Sequence, residues 1–154
     1  MYKRILFPTD GSEITQKALD TAIELAKLAG AEIYALSVKE PFPYSAISEM
    51  QPVPPQEFYD AQERIASARV QAAAESARTG GVTCHAHTVE AIHPWEAILD
   101  HAKTQGCDLV VMASHGRRCV SAMLSASSTS SVRRCVAIAQ PTMRRLHASR
   151  TTAR

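Results

Sequence analysis

The first apolar residues of the chain run without a break, Ile5, Leu6 and Phe7 standing together between Arg4 and Pro8. A run without polar alternation reads as a short strand buried on both faces, and Pro8 lacks the N–H to carry its ladder further. Thr9-Asp10-Gly11-Ser12 then turns the chain. From Glu13 the period changes: Ala18, Leu19, Ala22, Ile23, Leu25, Ala26 and Ala29 recur at helical spacing, and Gly30 supplies the stop. Ile33, Ala35, Leu36 and Val38 mark a second strand over Glu32 to Val38, so the first 40 residues spell β-α-β with short connections.

Five of the eight prolines lie between Pro41 and Pro55, together with Phe42, Tyr44, Ile47 and Met50. Connections longer than about 12–15 residues in a compact domain are usually binding loops, lids or inserts, and this one directly follows a strand. Pro55-Gln56-Glu57 opens a second helix with Phe58, Ala61, Ile65, Ala68 and Ala72 at helical spacing, ending at Gly80-Gly81. Val82 to Val89 reads as a third strand. Pro94 starts a third helix carrying Trp95, Ile98, Leu99 and Ala102, and Leu109 to Ala113 is the most apolar strand. Strands alternating with helices of this length predict an α/β fold: an open, doubly wound parallel sheet with helices on both faces. Ligands of such sheets bind at the carboxyl ends of the strands, where the strand order reverses.

Composition narrows the class. The 154 residues are 45% hydrophobic and 21% charged, as expected of one compact domain. The longest apolar runs fall far short of the roughly 18–20 residues that cross a bilayer, and the start of the chain is too brief in apolar residues for a secretory signal. A cytoplasmic protein is expected, without a membrane partner. Cys84, Cys107, Cys119 and Cys135 form no CxxC pair and read as reduced thiols. The net charge of +2 hides an asymmetry: after Asp108 there are eight arginines and no acidic residue, which leaves nine basic and fifteen acidic side chains before it. Such a basic end suits an anion site, a nucleic-acid arm or a solvated tail.

Two turns close the two strongest strands, Pro8-Thr9-Asp10-Gly11-Ser12 and Met112-Ala113-Ser114-His115-Gly116-Arg117-Arg118. In these turns and their spacing the chain resembles the universal stress protein family, whose first strand ends in P-x-D-G-S and whose fourth ends in M-G-S-H-G. The likeness runs from about Met1 to Ser131. It implies a five-stranded sheet in the order 3-2-1-4-5, a universal stress protein domain over residues 1–145, and a basic, disordered tail over 146–154.

The resemblance also implies binding of ATP or AMP, with or without Mg2+, through a G-x-x-G, nine residues, then G-S motif. On this chain the motif falls on Ala113, Gly116, Ala126 and Ser127, so alanine replaces two glycines. A glycine there lets backbone N–H groups approach phosphate oxygens without a Cβ in the way. If position 113 has a negative φ the replacement costs little; a positive φ would cost about 1–2 kcal/mol. The family assigns Asp10 to the ribose hydroxyls and Val38 to the adenine pocket. The expected nucleotide-binding set is therefore Pro8, Thr9, Asp10, Val38, Met112, Ala113, His115, Gly116, Arg117, Ala126, Ser127 and Ser128. Asp10 equally suits a plain turn or helix cap, Ser127 a plain N-cap, and Arg117 a solvated surface.

No catalytic residue is expected, since no second titratable group stands usefully beside His115; slow ATP hydrolysis is the most the site would support. His85 and His87 share one face of the third strand and could meet one ion with His93 or His101, but a polar edge-strand face is the simpler account, and no metal is expected. The end of the chain departs most from the family, which finishes with P-V-L-V-V; here Val136 to Ala139 is the one apolar run available for a fifth strand. Three functions compete: a stress-response regulator that binds adenine nucleotide as a homodimer, a universal stress protein without a working nucleotide site acting through dimerisation and protein partners, and a nucleic-acid binder. The last is disfavoured, because no aromatic residue interleaves the arginines after Trp95.

Overall fold

The computed structural model describes residues 2–41, 56–114 and 134–139. Along them run β1 (Arg4–Pro8), α1 (Glu13–Ala29), β2 (Glu32–Lys39), α2 (Gln56–Thr79), β3 (Cys84–Glu90), α3 (Pro94–Thr104), β4 (Leu109–Ser114) and β5 (Arg134–Ala139). The strands form one parallel sheet in the order β3-β2-β1-β4-β5, the order that the family resemblance implies. The expected strand near Val136 begins two residues earlier and pairs with β4 along its length.

Because strand side chains alternate between faces, the sheet feeds two cores. Ile5, Phe7, Ile33, Ala35, Leu109 and Val111 pack beneath α1 and α2, against Ala18, Leu19, Ala22, Val70, Ala73 and Ala77. Leu6, Tyr34, Leu36, Val110 and Met112 face the other way, onto Ile98 and Ala102 of α3. In α2 the expected stripe was offset. Ala61, Ile65, Ala68 and Ala72 are exposed, and the buried face is Ala66, Val70, Ala73, Ala74 and Ala77. Both stripes have helical spacing and are mostly alanine, so the packing of α2 against the sheet, and not the local pattern, selects the inner face.

β1 and β4 are held together at one end and part at the other. The Asp108 carboxylate accepts from the backbone N–H of Lys3 at 3.0 Å and of Arg4 at 3.2 Å, while its own N–H donates to the Arg4 carbonyl at 3.0 Å. Residue-to-residue pairing between the two strands then covers only Ile5 and Leu6. On the opposite side the β1–β2 ladder runs past Pro8, with Thr9 N–H donating to the Leu36 carbonyl at 2.8 Å. Pro8 therefore does not end the ladder. By strand alternation its missing N–H is on the β4 side, where the two strands separate.

Candidate functional site

A cavity of about 450 Å3 opens at the carboxyl ends of β1, β2 and β4. Its described wall is Pro8, Thr9 and Asp10 from the first turn, Thr15 of α1, Leu36, Val38 and Glu40 at the end of β2, Gln62 and Arg69 of α2, Pro94 and Ile98 of α3, and Met112 and Ala113 of β4. The topology explains the convergence. α1 and α3 leave the carboxyl edge of the sheet, α2 runs back from it on the α1 face, and the order of connections reverses between β1 and β4.

The turn after β1 is tightly organised. Asp10 Oδ1 accepts from Ser12 N–H at 2.9 Å and from the Thr15 hydroxyl at 2.6 Å, and Gly11 N–H donates to Thr9 Oγ1 at 3.2 Å. Ser12 itself caps α1 through its side-chain oxygen. Partial burial works to raise the Asp10 pKa, but the hydrogen bonds from Thr15 and Ser12 outweigh it and bring it down to about 2. Asp10 is thus a fixed anion at neutral pH. Its Oδ2 accepts no hydrogen bond among the described residues and is the free acceptor of the group.

Six of the expected site residues, Pro8, Thr9, Asp10, Val38, Met112 and Ala113, line this one cavity. His115, Gly116, Arg117, Ala126, Ser127 and Ser128 lie outside the described residues, as do residues 42–55 of the proline-rich loop and the tail 146–154. Ala113 does not have a positive φ. Its replacement of a motif glycine therefore adds a methyl group to the wall without backbone strain.

Sequence reasoning missed Thr15, Leu36, Glu40, Gln62, Arg69, Pro94 and Ile98. Pro94 could have been found, since a helix that follows a parallel strand starts at the carboxyl edge. Gln62 and Arg69 gave a weaker signal. They lie seven residues apart, on one side of α2, next to the small residues that face the sheet. α2 is fastened over the edge by Glu63, which accepts from Lys39 Nζ at 2.5 Å, Ser67 Oγ at 3.0 Å and Thr88 Oγ1 at 3.1 Å. These bonds, that of Lys39 foremost, lower the Glu63 pKa.

The histidines on β3 lie away from the cavity wall. His85 sits 4.8 Å and His87 6.0 Å, ring centre to ring centre, from Tyr34, and His87 lies 4.9 Å from His101 of α3. β3 is an edge strand, as expected, with His85 exposed on it, and His87 adds a ring contact to α3. Among the described residues no group of three or more His, Cys, Asp or Glu side chains is placed to hold a metal ion.

Comparison with known proteins agrees with this architecture. The model of the Universal stress protein family matches residues 1–138. A universal stress protein of Methanocaldococcus jannaschii is 30% identical over 121 residues, which cover 76% of this chain and 67% of the relative. Among solved structures, a universal stress protein family member from Burkholderia pseudomallei is 26% identical, covers 91% of this chain and 96% of its own, and superposes with a TM-score of 0.72. A universal stress protein family member from Arabidopsis thaliana with AMP bound shares the fold at 16% identity, covering 91% of this chain and 93% of its own, with a TM-score of 0.66. With the strand order, the two turns and the matched length together, the chain belongs to the universal stress protein family.

Proposed function

We propose that this universal stress protein binds an adenine nucleotide, AMP or ATP, in the cavity between the ends of β1, β2 and β4, and acts as a regulator rather than an enzyme. The observation that carries the reading is the meeting of Asp10, Val38, Met112 and Ala113 in one cavity of about 450 Å3, within the range that accommodates small ligands. In this reading Asp10 Oδ2 accepts from the ribose hydroxyls. Val38 and Ile98 offer apolar surface to the base, and the turn after β4 receives the phosphates. The AMP-bound relative with the same fold supports the choice of ligand. The working unit of the proposal is a cytoplasmic homodimer of the domain over residues 1–145.

Ala113 favours a second reading, because its methyl group stands where the family motif has a glycine. A chain whose phosphate loop has lost its close backbone approach would act through dimerisation and protein partners. Isothermal titration with AMP, ATP and adenosine separates the two. Saturable heat with a micromolar Kd that weakens about tenfold or more in Asp10→Asn is the expected result for the nucleotide reading. Absence of heat with all three ligands overturns it in favour of the second.

A further inference from the structure

The described wall of the cavity holds three charged side chains: two acidic, Asp10 and Glu40, and one basic, Arg69. An anionic ligand entering between two carboxylates needs a cation to set its orientation. Arg69 is placed for that. Its stem lies across the β1–α1 turn, so that a Cβ on Gly11 would come within 3.1 Å of Arg69 Cγ and 3.4 Å of Arg69 Nε. Gly11 has φ +77° and no side chain, and both properties let the arginine lie against the turn that presents Asp10.

Among the described residues the guanidinium is also unclaimed. The ion pairs among the described residues are Lys39–Glu63, His85–Glu32 and Lys103–Asp100, and Arg69 takes part in none of them. Nor does it donate a side-chain hydrogen bond there, unlike Arg4, which reaches the Gln105 carbonyl at 2.8 Å, and Arg64, which reaches the Asp60 carbonyl at 3.4 Å. The nearby Asp10 spends Oδ1 on Ser12 and Thr15 instead. A partly buried arginine beside a cavity, with its planar donor fork free, matches two oxygens of a phosphate.

We propose that Arg69 is the phosphate-recognition residue of this site: it binds the α-phosphate of the adenine nucleotide and makes the cavity prefer a nucleotide over its nucleoside. The assignment rests on the adenine-nucleotide reading above and adds to it a residue of α2, outside the glycine motif. It also gives a physical reason why Ala113 is tolerable. A methyl group reduces close approach to backbone N–H groups, whereas a long side-chain cation binds phosphate at longer reach.

Titration calorimetry of the full chain with AMP and with adenosine, on the wild type, Arg69→Gln and Arg69→Lys, tests it, with thermal melts to verify folding. The expected result is that the wild type prefers AMP over adenosine by about tenfold or more. Arg69→Gln should lose that preference through weaker AMP binding at unchanged adenosine affinity. Arg69→Lys should fall between them, because an ammonium retains the charge without the fork. AMP binding equal to wild type in Arg69→Gln, or an equal loss for AMP and adenosine, overturns the role of Arg69 while leaving the nucleotide site standing. A wild type that takes up neither ligand overturns the nucleotide reading and this assignment with it. Should Arg69→Gln fail to fold, Arg69→Lys decides: a selective loss of AMP affinity supports the assignment, and wild-type affinity overturns it.

Discussion

Gly11 shows how much a single position can settle. Its φ of +77° belongs to the region that L side chains avoid, and its missing Cβ leaves the space that Arg69 occupies. Gly11→Ala is therefore expected to destabilise the fold by about 1–2 kcal/mol through backbone strain, read as a lower urea midpoint at constant m-value. The same methyl group would displace Arg69, so AMP affinity should fall more than adenosine affinity in the folded variant. Asp10 carries a different lesson. The sequence left it open whether this residue belongs to a turn or cap or to a ligand, and the structure makes it the brace of the β1–α1 turn through Oδ1, with Oδ2 unused among the described residues. A carboxylate has two oxygens, and nothing in the sequence says which neighbour will claim either one.

At the scale of elements, the seam between β3, β2 and α3 should make the fold sensitive to acid. Burial holds the His87 pKa below its ordinary value, with His85 adding to the effect, and burial followed by the charge of His87 does the same for His101. Among the described residues, the charged and titratable neighbours of the seam include Tyr34 and Glu32 of β2, with Glu32 3.5 Å from His85 Nε2, and Arg4 and Cys107, which act on Tyr34. Since folding favours the neutral imidazoles, their contribution is complete above the ordinary value of 6.5 and is lost as pH falls through it toward the lowered folded values. The melting temperature should accordingly drop between about pH 7.5 and 5.5, and the drop should shrink in His101→Leu, which removes one member of the pair. An equal drop in the variant would show that the acid response arises elsewhere. α3 also supplies Pro94 and Ile98 to the cavity, so loosening this seam is expected to weaken nucleotide binding at the same pH.

For the whole molecule, the decisive feature is a sheet joined firmly at the amino end of the β1–β4 pair and open at the carboxyl end. Asp108 makes that join, with two backbone N–H groups on its carboxylate. Asp108→Ala should lower stability by about 0.5–2 kcal/mol, the range seen when a side chain that satisfies backbone donors is removed, measured by chemical denaturation. Its distance from the cavity predicts little change in AMP affinity under conditions where the variant is folded. Conversely, a saturating nucleotide should raise the melting temperature of the wild type by mass action, since only the folded chain presents the cavity.

Much of this architecture was legible in the sequence. The unbroken apolar runs at Ile5–Phe7 and Leu109–Ala113, the helical spacing of α1 and α3 and the short βα turns fixed an alternating α/β chain, because parallel strands buried on both faces require apolar runs and helical crossovers. The two turn motifs pointed to one edge of the sheet. The orientation of α2 was not legible, since an alanine-rich helix carries two stripes of equal spacing and only the space above the sheet selects between them. The polar wall of the cavity was equally hidden: Arg69 and Gln62 are distant from Asp10 along the chain, and their meeting depends on how α2 crosses the sheet. Sequence by itself determined the elements and their alternation through local periodicity. Tertiary structure decided which faces pack, where β1 and β4 separate, and which charge stands beside the site, because each of these depends on contacts between segments that no local pattern encodes.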